Sequence, residues 1–86
     1  MTLAAGPLAA GDHDAIRRAV EAGEIRALTE ILADVRPRLP GEIVGVEVER
    51  KGGRWFYEFR TIDKKGGVFE VYVDAHSGKI ERVKEK

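Results

Sequence analysis

Apolar positions along this chain change their spacing once, near Gly41. Before it they recur every three or four residues, and after it every second residue. The first regime predicts helices and the second predicts strands. "DHDAIRRAVEAG" predicts a first helix of about three turns, with Asp12 or Asp14 as the N-cap, Ile16 and Val20 on one face, and Gly23 at the stop. "EIRALTEILADVRPRLPG" predicts a stronger one, since Ile25, Leu28, Ile31, Leu32, Val35 and Leu39 form an amphipathic stripe. Pro37 biases Arg36 away from helical angles, so this helix should end near Val35 or Arg36.

Three or four strands follow. Val44, Val46 and Val48 alternate around Glu47 and Glu49 in the first. Gly52-Gly53 reads as a hairpin turn. The second strand puts Trp55, Tyr57 and Phe59 on one face and Glu58 and Arg60 on the other. "DKKGG" is the next turn, and Phe69, Val71 and Val73 share a face of the third strand. A short last strand carries Ile80 inward. Tight connections force antiparallel pairing. The expected fold is therefore α+β, with two N-terminal helices packed on one face of a three- to four-stranded antiparallel sheet. Phe56 and Tyr72 fall on the other face of that sheet.

Composition narrows the function. With 86 residues there is one small domain, which buries only ~60% of its unfolded surface. Fifteen basic and fifteen acidic residues cancel, and they alternate along every segment. No basic stripe forms, which argues against nucleic acid and against membrane-surface binding. The absence of Cys excludes a disulfide, a thiolate nucleophile and a cysteine zinc site. The uncharged start "MTLAAGPLAA" is too short to span a bilayer and has the small, apolar character of the end of a signal peptide. Residues 1–11 are read as a disordered tail or signal-peptide remnant, and 12–86 as the single domain.

The chemistry-bearing letters are few. Asp74, His76 and Ser77 spell a hydrolase triad, but adjacent residues on a turn diverge, and no G-x-S-x-G elbow accompanies them. Asp74, Ser77 and Gly78 are better read as turn makers: Asp and Ser bond nearby amides, and Gly supplies positive φ. Glu47, Glu49 and Glu58 could pair as acid and base, yet Arg50, Lys51, Arg54 and Arg60 are interleaved with them, so cross-strand ion pairs are expected. His13 offers one metal reading. A chain processed to start Gly11-Asp12-His13 would present amine, amides and imidazole to Cu(II) or Ni(II). No phosphate loop is present.

The runs "GEIRALTEIL" and "PGEIVGVEVERKGGRWFYEFRTIDKKGGVFEVYVDAHSGKI" resemble the PepSY domain family, over about residues 14 to 83. The closing element is the most specific part: Val73, Asp74, Ala75, Ser77, Gly78, Lys79 and Ile80, with Ser77 where Thr is commoner. The resemblance implies an α+β fold and an exported protein, periplasmic or secreted. It also implies regulation or inhibition of a peptidase or another envelope protein, as in propeptides of thermolysin-like metalloproteases. The family has no agreed catalytic residues, so the expectation is a non-enzymatic binding module without a cofactor, monomeric or weakly dimeric. Apart from the resemblance, the two outward aromatics on adjacent strands make the side away from the helices the candidate partner-binding surface, with Phe56, Glu58, Arg60 and Tyr72, plus the edge strand. The alternative is a metal- or small-ligand-binding periplasmic protein.

Overall fold

Apolar residues at every second position of "RWFYEFRTI" and "VFEVYVD" need a common cover, and that need organises the fold. The structure, a computed structural model, describes residues 10–86. The expected tail or signal remnant lies almost wholly outside them. The elements are α1 (Ala10–Glu21), α2 (Leu28–Val35), a 3-10 turn (Arg36–Arg38), β1 (Glu42–Lys51), β2 (Arg54–Ile62), β3 (Val68–Asp74) and β4 (Ile80–Glu85). The strands form one antiparallel sheet in the order β1-β2-β3-β4. The protein is α+β, with both helices preceding the sheet.

One buried cluster holds Ala19, Ile25, Ile31 and Val35 from the helical half and Tyr57, Phe59, Val71, Val73 and Ala75 from the sheet half. Phe59 sits opposite Val71 and Tyr57 opposite Val73, so strand parity brings all four to the same side, the Phe59 face. Two bonds tie Arg26, in the segment between the helices, to that side, and a third ties Ala75 to β2. Arg26 N–H donates to Ala75 O (2.8 Å), Ala75 N–H donates to Trp55 O (2.9 Å), and the Tyr57 hydroxyl donates to Arg26 O (2.6 Å).

Local chemistry explains the boundaries. Gly23 takes φ +79° and ends α1 in a Schellman motif: its N–H donates to Val20 O, and Glu24 N–H donates to Ala19 O. Gly52 and Gly53 both have positive φ, which a two-residue hairpin turn of the right twist requires. α2 ends at Val35, with Pro37 in the turn that follows.

Four expectations are corrected. α1 begins at Ala10, so positions 12 and 14 lie inside it rather than at its N-cap; Asp14 pairs with Arg17 at 3.1 Å. Ala19 rather than Val20 is buried on α1, because a spacing of three from Ile16 faces the core and a spacing of four does not. α2 starts at Leu28, because Ala27 is extended (φ -56°, ψ 139°) as the chain leaves Arg26, which is tied to Ala75 and Tyr57; Ile25 is buried from the preceding loop. In β1 a bulge between Ile43 and Gly45 shifts the parity. Ile43 therefore packs against the core while Val44 stands 61% exposed.

Gly41 is the tightest position, at φ +106°, where a Cβ would stand 2.4 Å from Ile62 O. Gly41→Ala is expected to cost more than about 2 kcal/mol in urea unfolding. Gly53→Ala, with positive φ and nothing within 4 Å, should cost about 1 kcal/mol. Equal losses at the two positions would contradict this packing.

Candidate functional site: the Glu58 face of the sheet

The parity that sends Phe59 to the core sends its neighbours Glu58 and Arg60 to the opposite face. Three rungs cross that face. Glu47, Glu58, Tyr72 and Arg82 align in one, Gly45, Arg60, Glu70 and Lys84 in the next, and Glu49, Phe56 and Asp74 in a third. All four expected partner-binding residues share the face. Glu58 and Tyr72 are direct cross-strand partners, whereas Phe56 and Arg60 sit in the flanking rungs. Neither aromatic is bare. Arg54 lies 4.9 Å from the Phe56 ring centre, and Lys51 Nζ lies 5.0 Å from that of Tyr72.

The expected ion pairing does not reach the centre of the face. Arg50 stacks on Trp55 on the Phe59 side, 5.2 Å from the ring centre. Arg54 binds Asp74 and Glu81. Arg60 and Lys86 both turn to Glu70, at 3.4 and 3.6 Å. Lys51 approaches Glu49 at 3.8 Å. Among the described residues no cation lies within ion-pair distance of Glu47 or Glu58. Yet carboxylate oxygens of Glu47, Glu49 and Glu58 come within 4.8 Å of one another, and Glu58 is only 5% exposed.

A buried carboxyl among carboxylates holds its proton. Glu58 is pushed up to about 8, first by the hydrogen bond its protonated form makes with Glu49, then by burial and by the charges of Glu49 and Glu70. Burial also raises Glu70, but Lys86, the Glu58 proton and Arg60 outweigh it and hold that group below its usual range. Tyr72 is raised by burial and then by the same carboxylates.

A neutral acid beside an ionised one is the pairing hydrolases use. Here the adjoining recess, lined by Gly45, Val46, Glu47, Glu58 and Arg60, measures about 100 Å³, well below the ~300 Å³ of a small-molecule site. The arrangement suits binding of a cation or a surface better than enclosure of a substrate.

At the edge of this face the Asp74–Gly78 turn uses the triad letters structurally. Asp74 Oδ1 accepts from His76 N–H and Ser77 N–H, both at 2.8 Å, and Gly78 N–H donates to Asp74 O. Ser77 Oγ accepts from Lys79 N–H, and Gly78 takes φ +78°. His76 Nδ1 sits 3.1 Å from Gly23 O, which clips the turn to the end of α1. Burial works against ionisation of Asp74, but Arg54 and the two amides outweigh it and hold the carboxyl at about 2. His13 is exposed on α1, remote in sequence from these groups.

Sequence reasoning missed that the carboxylates converge with no described cation on Glu47 or Glu58. A signal was present: counting back from the two-residue turn at Gly52-Gly53 places Glu47 opposite Glu58.

A family model described as "Peptidase propeptide and YPEB domain", PepSY, matches residues 14–84. Comparison with curated proteins and with solved structures finds no match.

The two shifted groups predict opposite pH limbs of stability. Glu58, raised from 4.5 to about 8, stabilises fully below pH 4.5, and that contribution is lost as pH rises through 8. Asp74, lowered from 3.8 to about 2, stabilises above pH 3.8, and that contribution is lost as pH falls through 2. Glu58→Gln should gain on the order of 2–4 kcal/mol over wild type at pH 9 and about 1 kcal/mol or less at pH 5, read by urea unfolding. Parallel pH profiles for the two proteins would refute the assignment.

Proposed function

Because the chain belongs to the PepSY domain family, we propose that it is a non-catalytic binding or regulatory module of the bacterial cell envelope. PepSY is a peptidase-associated family whose domains are generally propeptide or regulatory units and typically extracytoplasmic. On this reading residues 12–86 act as one domain, periplasmic or secreted, and restrain or modulate a peptidase or another extracytoplasmic protein. Among the described residues no helix is long and apolar enough to cross a membrane. The even charge balance gives no footprint for nucleic acid.

The carrying observation is the Glu58 face. The reading takes the helices as the cover of the Phe59 face, consistent with the mixed helix and strand cluster there. That leaves Phe56, Arg60 and Tyr72 to meet a partner around Glu58, which at 5% exposure is covered rather than the free contact residue expected from the sequence. Half-buried aromatics capped by arginine and lysine offer contact area with little ordering cost.

A metal-binding role is the second reading. The converging oxygens of Glu47, Glu49 and Glu58 favour it, and His13 would serve only in a chain processed to Gly11.

Immobilised wild-type chain and a Phe56→Ser/Tyr72→Ser variant, each exposed to the native envelope fraction, separate the readings. The retained partner should bind the variant at least about tenfold more weakly while the thermal midpoint changes little. Undiminished binding would remove this face from the account. Stoichiometric uptake of Mn(II) lost in Glu47→Gln/Glu49→Gln, or of Cu(II) lost in His13→Ala, would move the assignment to metal.

A further inference from the structure

The sheet has two open edges, and they are electrostatic complements. β1 is one edge and β4 the other. On the Glu58 face β1 presents Glu47 and Glu49, whereas β4 presents Arg82 and Lys84. Glu47 has no cation within ion-pair distance among the described residues, and Glu49 has only Lys51 at 3.8 Å. Arg82 and Lys84 likewise have no described carboxylate at that distance. On the Phe59 side each edge leaves apolar surface in water: Val46 is 36% exposed on β1, and Val83 is 54% exposed on β4. Both strands also keep a row of backbone groups that no strand pairs.

We propose that copies of this chain associate edge to edge, with β4 of one copy laid antiparallel along β1 of the next. The orientation follows from the topology. Consecutive strands alternate in direction, so β4 runs opposite to β1, and a second copy placed beside the first in the same sense continues the sheet with the Glu58 faces on one side. A register that sets Lys84 against Glu47 and Arg82 against Glu49 brings Val83 against Val48. Glu47 gains a cation and Glu49 a second one, Arg82 and Lys84 gain carboxylates, and the exposed valine is covered.

Charge selects this pairing over the symmetric ones. Two β1 edges would oppose Glu to Glu, and two β4 edges would oppose Arg82 and Lys84 to themselves. The net charge of zero adds no long-range repulsion between copies. The contact is heterologous: a joined pair keeps one free β1 and one free β4, so growth is open-ended and depends on concentration. It does not rest on the envelope-partner reading and survives if that reading fails.

Sedimentation velocity of the full chain from about 10 µM to about 1 mM tests it. In low salt the weight-average mass should rise at least about twofold across the series, and about 0.5 M salt should reverse most of the rise. Glu47→Lys/Glu49→Lys and Arg82→Glu/Lys84→Glu should each remain monomeric. Their equimolar mixture, and the variant carrying all four changes, should associate again, because β1 and β4 are then complementary with the signs exchanged. Circular dichroism checks each fold. Should a reversal unfold the chain, Glu47→Gln/Glu49→Gln and Arg82→Gln/Lys84→Gln carry the same test, with association weakened at least about fivefold. A wild-type chain monomeric at 1 mM in low salt overturns the proposal. So does association that ignores the reversals or is not restored by the mixture.

Discussion

Strand parity at β2 is the constraint from which the rest follows. β2 lies inside the sheet, paired on both sides, and its side chains must alternate between faces. Phe59, with none of its surface in water, fixes which face is core. Glu58 is then forced to the centre of the other face, between Glu47 on β1 and Tyr72 on β3. A shift of one residue would turn Glu58 into the core and expose Phe59, so the core and the carboxyl cluster are two results of one register. Neighbouring strands cover Glu58 without supplying it a cation. The proton it keeps is the local solution to that crowding.

The Asp74 turn does the corresponding work at the sheet's edge. Its carboxylate gathers two amides and Arg54, while His76 and Ala75 reach the loop between the helices through Gly23 and Arg26. The helical half is thereby joined to the sheet by backbone bonds as well as by apolar packing. A thin domain has little core to spare, which gives such polar ties weight. Letters that spell a triad are spent on holding two halves of a fold together.

Much of this was legible from residues whose role is local. The alternation of Trp55, Tyr57 and Phe59 marked β2, Gly52-Gly53 marked its hairpin, and Pro37 marked the end of α2. The closing "VDAHSGKI" pointed to the family. What escaped the sequence depended on contacts distant along the chain. α2 starts late because Ala27 is extended just after Arg26, which is held by Ala75, forty-nine positions away, and by Tyr57. Val44 is displaced by a bulge that alternation cannot reveal. The arginines expected to neutralise Glu47 and Glu58 were assigned by proximity in sequence, but Arg50 faces the opposite side and Arg54 and Arg60 found closer carboxylates on β3 and β4. Which cation meets which anion is decided across strands, and sequence spacing says little about it.

Function in this account is a property of surfaces. The chain belongs to a family associated with peptidase propeptides and regulation, and the physics singles out one face where a buried carboxyl stays neutral among its neighbours. That neutrality is the central claim, and a carbon-13 titration of the Glu58 side-chain carboxyl reads it directly. The account predicts a midpoint near 8, with Tyr72 ring shifts following the same curve. A midpoint at the ordinary 4.5 would contradict it, because Glu58 would then be an ordinary ionised surface glutamate.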